Sequence, residues 1–127
     1  MRAGSGAEAV FRRMIEAFDA ADTDLMASLL ADDMVAYLTN ADGGSDRVEG
    51  RDAYLARMPD VAGAEYVARV TQAVTVVDDQ VLAMVDIKAA RHGKALHNHA
   101  AFLTRVEGDR IREIWMVDAL PAYSDEF

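Results

Sequence analysis

Few residues in this 127-residue sequence could carry acid–base chemistry. Two aspartates, Asp86 and Asp118, fall inside alternating apolar segments, away from turns and helix faces. A carboxyl group enclosed by apolar side chains gains a proton more readily than one in water, which suits it to act as acid or base. His97, Asn98 and His99 lie between them in the chain. His97 and His99 alternate onto one face of an extended segment, a spacing that can chelate a metal. A third ligand is needed, and that face offers Leu103 and Arg105 instead, so no metal site is expected. A register slip of one residue would turn His99 inward, opposite Asp86, as an acid–base partner. Asn98 in an apolar pocket could orient a carbonyl or hydroxyl of a ligand. The chain has no cysteine, which removes thiolate nucleophiles, disulfides and cysteine-ligated metals together. Phosphate-cradle, dinucleotide and zincin motifs are absent.

The elements that must position these residues follow from periodicity. Ser5 and Glu8 have capping-box spacing, and Val10, Phe11, Met14, Ile15 and Phe18 then recur at helical period. Asp22 or Thr23 can cap a second, short helix carrying Leu25, Met26, Leu29 and Leu30. Met34–Thr39 reads as a strand and Asn40–Asp46 as a loop. Gly50 opens a third helix, Arg51–Met58, which Pro59 ends. Beyond Pro59 the period becomes two, with turns at Asp78-Asp79, His92-Gly93-Lys94 and Glu107-Gly108-Asp109. The result is a four-stranded antiparallel meander preceded by helices that can cover one face, an α+β layer architecture in a single domain over residues 1–127.

Pairing across those turns assigns the faces. Tyr66, Ala68, Val70, Val74 and Val76 share the more apolar face of the first long strand, and Arg69, Thr71 and Thr75 share the other. Carried across the turns, the inward set becomes Leu82, Met84, Asp86 and Lys88, then Asn98, Ala100, Phe102 and Thr104, then Arg112, Ile114, Met116 and Asp118. Asp86, Ala100 and Asp118 then lie level on three adjacent strands, with the two carboxylate-bearing backbones about 10 Å apart. The bland alternative is that Asp118 merely ends its strand and turns the chain toward Pro121. Asp86 would then point outward and pair with Arg69 or Arg105.

The segments Leu29–Leu38 ("LLADDMVAYL"), Val48–Met58 ("VEGRDAYLARM") and Arg105–Asp118 ("RVEGDRIREIWMVD") resemble the SnoaL-like, polyketide-cyclase-like branch of the nuclear transport factor two-like superfamily. The resemblance implies a cystatin-like cone, in which a curved antiparallel sheet wraps the N-terminal helices and encloses a pocket. It implies little about activity, because the fold hosts isomerases, cyclases, dehydratases, epoxide hydrolases and non-catalytic partners. Ketosteroid isomerases of this layout use a tyrosine, an aspartate base and an acid at positions that match Met14, Leu38 and Phe102. Their supporting hydroxyls match Leu30 and Met58. None of these can exchange a proton, so that machinery is not expected. A polyketide cyclase of the fold uses an aspartate near the end of its last strand, which Asp118 resembles.

The expected activity is therefore binding of a small, mostly apolar cyclic molecule, with proton-transfer chemistry of cyclase, dehydratase or hydrolase type through Asp118 and Asp86 or His99. A non-catalytic ligand-binding or homodimerisation module is the alternative. Met14, Met34, Met58, Met84 and Met116 are all expected to face inward and to line the pocket with Leu38, Asn98 and Phe102. The alternative for the methionines is a packed core that uses them as filler. No cofactor is implied. An outer sheet face bearing Val85, Ile87, Leu103, Trp115 and Val117 would leave apolar surface open, so a homodimer through that face is expected. The formal charge of −9 and pI near 4.6 argue against nucleic acid and anionic membrane surfaces. No signal-like or membrane-spanning run is visible, and a cytoplasmic protein of bacterial origin is expected.

Overall fold

The computed structural model describes residues 6–40, 42–57, 65–91 and 93–118, with the backbone alone at 65, 66 and 91. The expectations for Ser5, Met58, Pro59, His92 and the tail from 119 lie outside the described residues. The elements run α1 (Gly6–Asp19), α2 (Thr23–Ser28), β1 (Leu30–Thr39), β2 (Ser45–Glu49), α3 (Arg51–Arg57), β3 (Glu65–Val77), β4 (Gln80–Arg91), β5 (Lys94–Glu107) and β6 (Arg110–Asp118). The strands form one sheet in the order β2-β1-β6-β5-β4-β3, curved and unclosed, against which the three helices pack. It is not wholly antiparallel: β1 pairs with β6 in parallel, because the chain crosses from one side of the sheet to the other between them.

Helix α1 buries Ala7, Val10, Phe11, Met14 and Ala17, a stripe at helical spacing. Its exposed side carries the Glu8–Arg12 pair at 2.9 Å. The helix ends on Ala21, a non-glycine residue at φ 54°, and Asp22 N–H returns to Ala17 C=O at 2.9 Å. Asp22 then caps α2, its Oδ1 accepting from Leu25 N–H at 3.0 Å. The Asp19 carboxylate accepts from Ala68 N–H and ties the end of α1 to β3.

The segment read as a loop is the turn of a hairpin. Asn40 Oδ1 accepts from Asp42 and Gly44 N–H at 3.0 Å each, and its amide donates to Asp46 Oδ1 at 3.0 Å. This side-chain hub turns β1 into the short strand β2, which brief, polar Ser-Asp-Arg does not announce by pattern. Asp46 also accepts from Arg57. The Asn40 amide, followed by Arg57, holds the Asp46 carboxyl below its ordinary range.

Three departures from regular pairing decide which side chains face inward. The hairpin between β3 and β4 pairs Val77 with Gln80 across a two-residue turn, and together with the two bulges in β3 this sets Ala68 opposite Ile87 and Val70 opposite Val85. The inward residues of β4 are therefore Val81, Ala83, Val85, Ile87 and Ala89; Leu82, Met84, Asp86 and Lys88 face outward, correcting the sequence-based face. Second, β3 is bulged between Val70 and Gln72, and again between Thr75 and Val77. The first bulge turns Ala73 and Thr75 inward and leaves Val74 and Val76 exposed, the reverse of the expectation. Third, β6 is bulged at Arg112, where Arg105 pairs with Glu113 but Val106 pairs with Ile111. Ile111 is thus the buried residue, and Arg112 leaves the inner face for an ion pair with Asp33. On β1 the Ala31-Asp32-Asp33 stretch bulges opposite it, between the Leu30–Ile111 and Val35–Glu113 pairs. The Arg112 guanidinium holds the Asp33 carboxyl below its ordinary range. Arg51 Nη1 meets Asp32 Oδ1 at 2.8 Å. The two arginines fasten α3 and β6 to the two acids of this bulge.

The core lies between α1 and the inner face. Met26, Leu30, Met34, Val81, Val85 and Ile111 are its largest fully buried apolar side chains. Thr104 is 0% exposed, and Thr75 and Thr104 flank Val81 from either side. Neither hydroxyl has a hydrogen-bond partner among the described residues.

Candidate functional site

Strand β5 carries the site because its inner residues are apolar except at two positions, Asn98 and Thr104. Leu96, Asn98, Ala100, Phe102, Thr104 and Val106 face inward, as expected for Asn98 to Thr104. Asn98 is 4% exposed. Its Nδ2 donates to Asp118 Oδ1 at 2.7 Å, and its Oδ1 accepts from His99 N–H at 2.8 Å. Asn98 thus holds a carboxylate with one end while backbone fixes the other. Asp118 lies on the inner face, level with Ala100. Its backbone is clamped by Thr39, whose hydroxyl accepts from Asp118 N–H at 3.3 Å and donates to Met116 C=O at 3.1 Å. Asp118 is half-buried at the end of β6, in the register expected for it.

Asp86 is not part of this constellation. It lies opposite His99 and faces outward with His97, whose Nε2 is 2.9 Å from Asp86 Oδ1. The residue level with Ala100 and Asp118 on β4 is Val85. The two aspartates therefore stand on opposite sides of the sheet. His99 is exposed on the outer face and does not enter the interior. Arg69 is the cross-strand neighbour of Asp86 on β3, but the ion-pair partner of Asp86 is His97, and Arg105 Nε lies 3.7 Å from Glu113 Oε1.

Among the residues expected to line a pocket, Met14, Met34 and Leu38 are buried inward. Phe102 and Met116 are partly buried against the core, and the Phe102 and Phe11 rings meet at 5.5 Å between centroids. Met84 faces outward, level with Ala101, and Met58 lies outside the described residues. Methionine placement is thus less uniform than the sequence suggests. A buried phenol, Tyr54 on α3, is an interior polar group that the sequence reading passed over. It is 6% exposed, and burial pushes its hydroxyl up to about 12. Its signal was an aromatic residue one turn beyond Gly50, beside Leu55, in a short helix with charged ends. Gly50, at φ 95°, donates its N–H to Met34 C=O at 2.7 Å and accepts from Tyr54 N–H at 3.0 Å, seating that turn on β1.

A separate surface cleft of about 260 Å³ is lined by Ala31, Asp32, Asp33, Glu107, Arg110 and Arg112. Its charges are largely answered within it, by Arg112 with Asp33 and Glu107. On the outer face the Tyr37 and Trp115 rings stack at 3.8 Å and 15°. They belong to a row level across all six strands: Val74, Leu82, Leu103, Trp115, Tyr37 and Arg47. Val85 and Ile87, expected on this face, point inward instead. Among the described residues no group of three histidine or acidic side chains is placed to hold a metal ion. No helix there is long and apolar enough to cross a membrane.

The sequence profile of the SnoaL-like domain matches residues 11–114. No curated protein matches the chain. Solved structures of similar fold include Bal32a from a soil-derived mobile gene cassette, with a TM-score of 0.81 at 18% identity over 98% of this chain and 97% of that one. RV0760c from Mycobacterium tuberculosis, in complex with estradiol-17beta-hemisuccinate, has a TM-score of 0.75 at 19% identity over 88% and 92%. An LEH-like epoxide hydrolase of M. tuberculosis has a TM-score of 0.75 at 18% identity over 95% and 88%. At these identities the likeness shows the nuclear transport factor two-like fold.

Proposed function

The chain belongs to the SnoaL-like domain family, and we propose that it binds a small, mostly apolar cyclic molecule between α1 and the inner face of its sheet, with Asp118 as the proton-transfer group. The observation that carries this reading is the Asn98–Asp118 hydrogen bond at 2.7 Å on a largely apolar inner face. A buried amide spent on orienting one carboxylate is costly to place in a core and gives nothing to packing. Its use is explained if the carboxylate must meet a ligand in one orientation. Asp86 and His99 cannot share that ligand within one chain, so acid–base work falls to Asp118, with Asn98 and Thr39 as positioning residues. The bound steroid ester of the mycobacterial protein and the chemistry named for the epoxide hydrolase support a ligand-holding interior for this fold. The reaction class is cyclase, dehydratase or hydrolase.

The test is ligand-dependent melting against aromatic polyketides, steroids, terpenoids and terpenoid epoxides, followed by turnover assays for any ligand found. Asp118→Asn keeps the shape and the Asn98 contact region and is expected to lower turnover at least 100-fold with binding retained. Unchanged turnover removes Asp118 from the mechanism.

The outer-face row favours a second reading, a homodimer in which that face meets a second copy. Trp115 is 42% exposed, and Val74, Leu82 and Val117 are exposed beside it. Flanking rows carry Arg69, Asp86 and His99, with Lys88 and His97 beyond them, on one side and Arg105, Glu113 and Glu49 on the other, so each flank answers much of its own charge and the apolar row is what favours the contact. Sedimentation of the wild type and Leu103→Glu tests it: a dimer that becomes monomeric supports the reading, and a monomeric wild type ends it.

A further inference from the structure

Strand β3 is an edge of the sheet: among the described residues it pairs with β4 on one side and with no strand on the other. A free edge presents a row of backbone groups, a template for a further strand. From Val70 to Val77 the sequence Val-Thr-Gln-Ala-Val-Thr-Val-Val holds no charge, proline or glycine, and most of it is β-branched. Val74, Val76 and Val77 are each more than half exposed. A segment of this composition on an open edge pairs readily with its own copy.

Two features interrupt that template. In an antiparallel ladder each residue aims both backbone groups at one side, and the side alternates along the strand. The Asp19 carboxylate at the end of α1 takes Ala68 N–H, so the groups of Ala68, and of Tyr66 and Val70 in the same phase, face the open side. The bulge between Val70 and Gln72 then shifts the phase by one residue. Beyond it the open-side residues are Ala73 and Thr75, and the second bulge ends that run before Val77. A regular strand can follow 66 to 70 or 73 to 75, but not both. The first run carries a charged side chain at its centre, and the second is at the lower limit of strand length. The Thr71 bulge is served from within, because the Thr71 hydroxyl donates to Met84 C=O at 3.3 Å. We infer that Asp19 and the Thr71 bulge together close the β3 edge against antiparallel pairing with the β3 of a second copy.

The test deletes Thr71 from the full chain carrying Leu103→Glu, which removes the outer-face contact. The pairs flanking the bulge do not involve Thr71, so the variant is expected to keep the wild-type circular dichroism. Tyr66, Ala68, Val70, Ala73 and Thr75 then share one open phase. Thioflavin T fluorescence is expected to rise about tenfold over the undeleted chain, with species larger than a monomer in sedimentation. Adding Ala73→Pro removes an open-side N–H without breaking a bond to β4, and is expected to return the deleted chain to monomer. Asp19→Ala in the undeleted Leu103→Glu chain is expected to associate more weakly, with about a threefold rise in fluorescence. A folded deletion variant that stays monomeric overturns the inference. Association that survives Ala73→Pro also overturns it, because the contact then lies elsewhere. Should the deletion unfold the chain, a monomeric Asp19→Ala overturns the inference in its place.

Discussion

Asn98 and Asp118 are hydrogen-bonded at 2.7 Å although they are not cross-strand partners. Asp118 is level with Ala100, so the Asn98 amide reaches diagonally past a methyl group to find it. Ala100, next to Asn98 on the same face and directly opposite Asp118, is small enough to leave that diagonal open. The contact also depends on the amide's having opposite character at its two ends, donor to Asp118 and acceptor from His99 N–H.

Asn98→Asp should therefore be strongly pH-dependent. The variant brings two carboxylates to hydrogen-bond distance on an apolar face, which is unfavourable when both are ionised. It is expected to lose about 2–4 kcal/mol at pH 7 and to recover much of that loss near pH 4–5, where one proton can be shared. Urea unfolding at both pH values checks this, and equal loss at both would mean that packing, not charge, is responsible.

Tyr54 sets an alkaline limit on stability. Its hydroxyl is pushed up to about 12 in the folded chain, above the value of 10 expected when unfolded. The folded state thus holds the proton more tightly. The associated stability is fully present below pH 10 and is lost as pH rises from 10 through 12. The full loss corresponds to about 3 kcal/mol. Relative to wild type, Tyr54→Phe should resist unfolding better above pH 10, while the other tyrosines contribute to both proteins alike.

Thr104 is completely buried with an unpartnered hydroxyl. Thr104→Val keeps the shape and removes that hydroxyl, and is expected to stabilise the fold by about 1 kcal/mol. Differential scanning calorimetry checks the sign. Destabilisation would mean that an internal water serves the Thr104 hydroxyl.

Ala21 holds a left-handed conformation, φ 54°, at the end of α1. Glycine adopts that conformation without a Cβ penalty. Ala21→Gly is expected to gain about 0.5–1 kcal/mol, measured by chemical denaturation. A loss would show that the glycine's added freedom in the unfolded chain outweighs the strain relieved.

Apart from β2, which the sequence reading missed, the order of elements was legible because each rests on a local signal: the stripe from Val10 to Phe18, the Asp22 cap, Gly50 before α3, and turn residues at 78–79, 93 and 108. The inner face of β5 and the end of β6 were legible too, since Asn98 to Phe102 and Ile114 to Asp118 sit in unbroken alternation. The face of β4 was not, because both of its sides are apolar: Val81, Ala83 and Val85 on one, Leu82 and Met84 on the other. Such a strand fits either face, and the hairpin geometry decides. That single inversion removed Asp86 from the site. Bulges leave even less trace, since Thr71 and Arg112 look like ordinary alternating residues until their neighbours' partners are known. Tyr54 escaped because one buried residue in a seven-residue helix makes no periodic pattern.

The bulge at Thr71 shapes the path of β3. Regular pairing before it and after it differs by one residue, so the two halves of β3 read the same alternation in opposite phase. Deleting Thr71 would remove the bulge while leaving every flanking pair in place, Val70 with Val85 and Gln72 with Met84. Ala68, Val70, Ala73 and Thr75 would still face inward, now in one unbroken alternation, so the strand would lose its local bend without any change in which side chains line the interior.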